Sequence, residues 1–153
     1  MELKRVSGSH PDFNRLIALL DEELEGRYGL LQKEYDQFNL IGNLKTVVVG
    51  YIGEAAVCCG CFKKFNYHSA EVKRVFVLPA YRGKGIARLL MEELERWMTE
   101  NRYRKSILET GIKQPDAIRF YRKCGYRDVP NFGQYAGNRN SICLCKNLKQ
   151  TDL

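Results

Sequence analysis

The stretch Val75 to Ala87 (VFVLPAYRGKGIA) holds the densest chemical signal in this 153-residue sequence. An apolar run ends at Leu78, Pro79 interrupts it, and Gly83 and Gly85 stand directly before a long amphipathic segment. Strand, glycine-rich turn and helix start, in that order, make an anion site. The first amides of a helix have no intrahelical acceptor, and the macrodipole adds partial positive charge at the same end. Glycine lets the backbone approach a phosphate with no Cβ in the way. Arg82 and Lys84 can add formal charge. Spacing argues against two common phosphate motifs. A P-loop requires GxxxxGK[ST], which Gly83-Lys84-Gly85 does not offer. A dinucleotide fingerprint requires a third glycine or alanine where Arg88 stands, and a βαβ unit that supplies an acidic residue.

Other residues with reactive side chains carry weaker signals. The six cysteines include no CxxC pair and no Cys/His spacing of the zinc type. Cys58, Cys59 and Cys61 sit in an apolar run, and Cys143 and Cys145 alternate in a strand-like segment, so buried reduced thiols are expected and a metal is not. His10 and His68 are each alone in polar, loop-like surroundings. The net charge of +7 is spread along the chain rather than gathered on one recognition element, which argues against nucleic acid as the partner. Several cations cluster around the glycine loop, where a polyanionic cofactor accounts for part of the surplus.

The elements that must position these residues follow from periodicity. Leu3 to Val6 reads as a short strand, and Phe13, Leu16, Ile17, Leu20 and Leu24 recur at helical spacing after Pro11. A shorter helical or irregular piece covers 31–38. Thr46 to Tyr51 and Glu54 to Phe62 form a predicted hairpin around Ile52-Gly53, and Glu71 to Leu78 is a third strong strand. From Gly85 to Thr99, Ile86, Leu89, Leu90, Leu94, Trp97 and Met98 share one helical face. Ser106 to Glu109 reads as a strand, Asp116 to Lys123 as a helix, and Ser141 to Leu144 as a closing strand. The expectation is one mixed α/β domain spanning 1–153. No apolar run is long enough to cross a bilayer, and MELKRVSGSH has no apolar signal core, which predicts a cytoplasmic location.

Two segments, taken together, resemble a known family. Arg82-Gly83-Lys84-Gly85-Ile86-Ala87 matches the (Q/R)xxGx(G/A) pyrophosphate signature of the GNAT N-acetyltransferases, and Ala117 to Tyr126 (AIRFYRKCGY) looks like that family's AxxFYxxxG(F/Y) segment. The similarity covers roughly Lys45 to Leu148. Asp12-Phe13, Tyr35 to Asn39 and Asn131 to Gly137 also look like a bacterial branch of the family. The resemblance implies a mostly antiparallel sheet of about six or seven strands, splayed between the fourth and fifth, with about four flanking helices. It implies acetyl-CoA as co-substrate. Backbone groups of Val75, Phe76 and Val77 would pair with the pantetheine, and Arg82, Gly83, Lys84, Gly85, Ile86, Ala87 and Arg88 would hold the pyrophosphate. Members occur as monomers and homodimers.

The resemblance also suggests roles. Tyr121 matches the position where the family often places the acid that protonates the leaving thiolate. Glu71, sharing strand parity with Lys73, Val75 and Val77, is the candidate base, and Glu109 a second. Asparagine, which the family often carries after the fifth strand, is missing from Glu109 to Pro115; Gln114 is the available substitute. Cys124 is the thiol nearest a functional motif, but no histidine accompanies it. Tyr28, Tyr35, Asp36 and Phe38, with Phe132, Gln134 and Tyr135, are the expected substrate lining. The leading expectation is acetylation of a primary amine on a small or amino-acid-like molecule. Acetylation of a protein lysine or N-terminus, and a non-catalytic acetyl-CoA-sensing module, remain open alternatives.

Overall fold

The computed structural model describes residues 1–28 and 44–150. Along them lie β1 (Glu2–Val6), α1 (Pro11–Tyr28), β2 (Val47–Ile52), β3 (Ala55–Lys64), β4 (Ser69–Val77), α2 (Ile86–Glu100), β5 (Lys105–Gly111), α3 (Pro115–Lys123), β6 (Arg127–Val129) and β7 (Ser141–Asn147). Short 3-10 turns occupy Pro79–Tyr81 and Gly133–Tyr135. The seven strands form one sheet in the order β1-β2-β3-β4-β5-β7-β6. β4 and β5 pair in parallel, while the β1–β2, β2–β3, β5–β7 and β6–β7 pairs are antiparallel. The mixed, mostly antiparallel sheet agrees with the sequence expectation. The helical piece expected over 31–38 lies outside the described residues. The chain divides into two compact units, residues 1–63 with 73–94 and residues 64–72 with 95–153.

In the first unit, α1 turns Phe13, Leu16, Ile17 and Leu20 onto Val47, Val49, Tyr51, Cys59, Cys61 and Phe76. Each fully buried side chain of this size contributes roughly 1.5–3 kcal/mol relative to exposure. Asp12 accepts a hydrogen bond from the Tyr51 hydroxyl at 2.6 Å, fixing the helix start on β2. His10, expected in a solvated loop, is half-buried, and its Nδ1 accepts the backbone N–H of Asp12 at 3.1 Å. Here the imidazole serves as a cap at the α1 N-terminus. On the opposite side of β3, a Cβ at Gly60 would lie 3.1 Å from Leu94, 3.4 Å from Val75 and 3.5 Å from Leu90. The missing side chain is what lets α2 lie close to the sheet.

Arg74 stands at φ +59° inside β4. A left-handed residue in a strand breaks the two-residue alternation and marks a bulge. Val75 accordingly faces Gly60, Leu90 and Leu94, while Phe76 joins the α1 cluster. Asp21 of α1 takes both Arg74 terminal nitrogens, at 2.7 and 3.2 Å, and holds the bulge in place.

In the second unit the parallel pairs run from Ser69–Lys105 to Val72–Leu108, and β4 continues beyond them to Val77. A splay between β4 and β5 is the sequence expectation. β7 pairs with β5 over seven residues and with β6 over three. Sequence periodicity does not predict β6, whose three residues include no buried position. The Tyr126 hydroxyl donates to Glu95 of α2 at 2.9 Å and lies 2.7 Å from Ser106 Oγ of β5. Lys146 of β7 also reaches Glu95, at 2.7 Å. These bonds satisfy a polar group that would otherwise be costly to bury.

Candidate active site and family

The turn before α2 is made of backbone. Gly83 has φ +77° and Gly85 φ +81°, a region other residues enter at a cost of roughly 1–2 kcal/mol. No atom lies within 4 Å of where a Cβ would stand on either glycine, so the space over both is open. The first described helical bond here runs from Leu89 N to Gly85 O at 3.3 Å. The amides just before Leu89 therefore fall in the turn whose donors have no acceptor within the helix. Positive φ, open space and orphan donors together form a cradle suited to a diphosphate.

The cations around this cradle are not equivalent. The family resemblance places Arg82 among the pyrophosphate ligands, and its guanidinium also makes contacts within the chain. Its Nε donates to the Val77 carbonyl at 2.8 Å, an NH group pairs with Glu23 at 2.9 Å, and the plane lies 5.5 Å from the Phe76 ring centre. Arg82 thus ties the loop to the end of β4 and to α1, with Glu23 offsetting its charge. Its bond to Val77 takes one lone pair of a carbonyl expected to meet the pantetheine; the second lone pair is separate. Lys84 is exposed over the Tyr81 ring, and Arg88 is exposed with Glu92 at 3.7 Å. Ile86 is buried and anchors the helix start. Beside Phe76, a hollow of about 380 Å³ is lined by Leu19, Glu22, Glu23, Leu78 and Pro79.

In the second unit, Glu71 is 1% exposed despite its charge. The Tyr135 hydroxyl donates to its Oε2 at 2.8 Å. Tyr135, expected on a substrate-facing rim, is itself only 2% exposed. Its ring packs edge-on against Phe132 at 5.7 Å, and Phe132 against Phe65 at 5.2 Å, which draws it inward. Burial, then the Glu71 and Glu109 carboxylates, push its phenol far above the ordinary tyrosine range. Glu109, half-buried on β5 opposite Cys143 of β7, accepts a hydrogen bond from Ser141 Oγ at 2.6 Å. Burial pushes the Cys143 thiol up to about 11, and it stays protonated at neutral pH. Phe132 is half-buried and Gln134 exposed.

Two tyrosines near the α3 C-terminus contrast. Tyr126 has its hydroxyl bonded on two sides. Tyr121 is half-buried against Phe120 and Tyr126, and among the described residues no hydrogen bond to its hydroxyl is found. Burial first, and the Cys124 thiol second, raise its phenol above the ordinary range, so it keeps a proton to donate. Gln114 stands at the start of α3. The Tyr28 side chain, and Tyr35, Asp36 and Phe38 entirely, lie outside the described residues. Sequence reasoning missed Asn131, whose Nδ2 lies 3.0–3.2 Å from the carbonyls of Tyr135, Asn138 and Ser141. It also missed the role of Ser141, which reads only as the start of the closing strand, while Asn131 carries no signal beyond its place in a family-like segment. Among the described residues no group of three His, Cys, Asp or Glu is placed to hold a metal, and no helix is long and apolar enough to cross a membrane.

Comparison with known proteins gives this geometry its context. The model of the acetyltransferase (GNAT) family matches residues 13–126. Among curated proteins, the IAA acetyltransferase of Azospirillum brasilense is 40% identical over 78 residues, covering 51% of each chain. The chain thus spans about half the length of that curated relative. A structure from Klebsiella pneumoniae, assigned as an acyl-CoA N-acyltransferase, aligns with a TM-score of 0.81 at 28% identity over 97% of both chains. A GNAT family acetyltransferase of Elizabethkingia anophelis, solved with acetyl-CoA bound, aligns at 0.70 with 17% identity over 96% of this chain and 97% of that one, a likeness of fold. With the family model spanning most of its length, the chain belongs to the acetyltransferase (GNAT) family.

Proposed function

We propose that the chain works as one N-acyltransferase domain that moves an acetyl group from acetyl-CoA to a primary amine by direct transfer. The observation that carries this reading is the open, positive-φ cradle at Gly83 and Gly85 at the start of α2. It fits a diphosphate, and Lys84 and Arg88 supply charge for it. The acetyl-CoA bound to the Elizabethkingia protein and the name of the Azospirillum relative support the choice of donor.

In this reading the amine nitrogen attacks the thioester carbonyl, the C–N bond forms and the C–S bond breaks. Glu71 takes the proton released by the amine, through water where the distance requires it, and Tyr121 gives its proton to the departing thiolate. A backbone amide near Val77 polarises the carbonyl as negative charge develops on oxygen. The raised phenol suits Tyr121 to this role, since it is protonated at neutral pH. The acceptor is a primary amine on a small or amino-acid-like molecule.

A thiol-release assay tests the proposal. Acetyl-CoA is offered with putrescine, tryptamine, ethanolamine and glycinamide, and free thiol is followed over the amine-free rate. Amine-dependent release with a matching acetylated product supports transfer. Saturable acetyl-CoA binding without release by any primary amine would contradict it.

A further inference from the structure

We infer that Tyr135 is a positioning residue for Glu71, its phenol held on one carboxylate oxygen by the loop over residues 131–138. The inference rests on the reading of Glu71 as the base.

The contact joins residues 64 positions apart, both buried, at 2.8 Å. The loop that delivers the phenol is fixed from three directions. Asn131 spans it, its side-chain amide lying 3.0–3.2 Å from the carbonyls of Tyr135, Asn138 and Ser141. Gly133 opens the 3-10 turn at φ +54°, and a Cβ there would come 3.0 Å from the Phe65 ring, so turn and packing both require glycine. Phe132 wedges between Phe65 and Tyr135. So much structure around one hydroxyl leaves it a single orientation, towards Glu71 Oε2.

The consequence for chemistry is directional. Fixing Oε2 also fixes the direction of the second oxygen of the carboxylate, which otherwise rotates about the Cγ–Cδ bond. Tyr135 does not compete for the amine's proton, because its own phenol is held protonated by burial and by the carboxylates beside it. Around Glu71 stand Tyr135 from the loop, Glu109 from β5 and Cys143 from β7. Lys73, two residues further along β4, is also buried. Tyr135 donates a hydrogen bond to the carboxylate and so helps to set the way it faces.

The test uses the full chain with the panel amine it turns over fastest. In Tyr135→Phe, kcat/KM for the amine at pH 7 falls about tenfold and the acid limb of its pH profile moves up by about one pH unit. KM for acetyl-CoA stays within about twofold, since the bond removed is to Glu71 and not to the glycine turn. Should Tyr135→Phe fail to fold, 3-fluorotyrosine placed at position 135 keeps the bond with a stronger donor. The limb then moves to lower pH with the rate retained. An unmoved limb in both variants, while Glu71→Gln is inactive, overturns the role of Tyr135 alone. Wild-type rates in Glu71→Gln, or no turnover of any panel amine, overturn the reading of Glu71 as base, and this inference with it.

Discussion

The turn at Gly83–Gly85 and the Glu71–Tyr135 pair are built from opposite materials. The turn is exposed backbone, shaped by two positive-φ glycines and by amides that a helix start leaves without acceptors. The pair is buried side chain, assembled by β4 and a distant loop and packed with aromatic rings. Under the proposed function the difference separates binding from turnover. A backbone cradle tolerates loss of a neighbouring cation, because its amides remain. A buried side-chain pair depends on both of its members, and removing one phenol takes a donor from a buried carboxylate.

The largest expected effect lies with Tyr121, the proposed acid. Tyr121→Phe lowers kcat about 10²-fold or more with acetyl-CoA affinity unchanged, as read by steady-state kinetics beside calorimetry. Wild-type turnover in this variant would remove the assigned acid and leave only the binding half of the comparison.

Alkaline pH gives the next effect, and its sign follows from burial. Tyr121, Tyr126 and Tyr135 have raised folded-state values, and Cys58 and Cys143 sit at about 11. The stabilisation from holding these groups protonated is complete below their unfolded values and is lost as pH rises through and beyond them. Denaturant melts at pH 7 and pH 10.5 are expected to differ by at least about 2 kcal/mol, with the folded state weaker at high pH. A flat profile would mean that these thiols and phenols are more solvated than the structure shows.

Gly60→Val sharpens the contrast from outside both regions. The new side chain meets Leu94, Leu90 and Val75, costing about 1–3 kcal/mol in a denaturant melt. Activity per folded molecule is retained. The smallest effect belongs to Lys84→Ala, which weakens acetyl-CoA about three- to fivefold at low salt and less at high salt. A hundredfold loss there would show that charge, rather than the backbone, does the holding.

What could be read from sequence divides along the same line. The glycine turn is a local pattern: strand, proline, two glycines and a helix with a continuous apolar face lie within one short stretch. The α2 helix was legible because its apolar residues repeat at the helical period over four turns. The Glu71–Tyr135 contact depends on two segments meeting through the whole fold, and no periodicity encodes that. Tyr135 consequently read as a rim residue, although it is buried. Arg74 is not a residue that favours positive φ, so its left-handed backbone inside β4 gave no warning. The position of Arg82 in the motif is legible in sequence; its bonds to Glu23 and Val77 are not. The three residues of β6 were too few to alternate.

The central claim, that the backbone cradle at Gly83–Gly85 is the acetyl-CoA site, is tested most directly by calorimetry of acetyl-CoA with wild type beside Gly85→Glu. A carboxylate on the open face of Gly85 fills the cradle and repels a diphosphate, with fold loss limited to roughly 1–2 kcal/mol of backbone strain at the exposed turn. The account predicts saturable binding by wild type and a loss of at least about 100-fold in the variant, with circular dichroism unchanged. Equal affinity in the two proteins, or no binding by folded wild type, would contradict it.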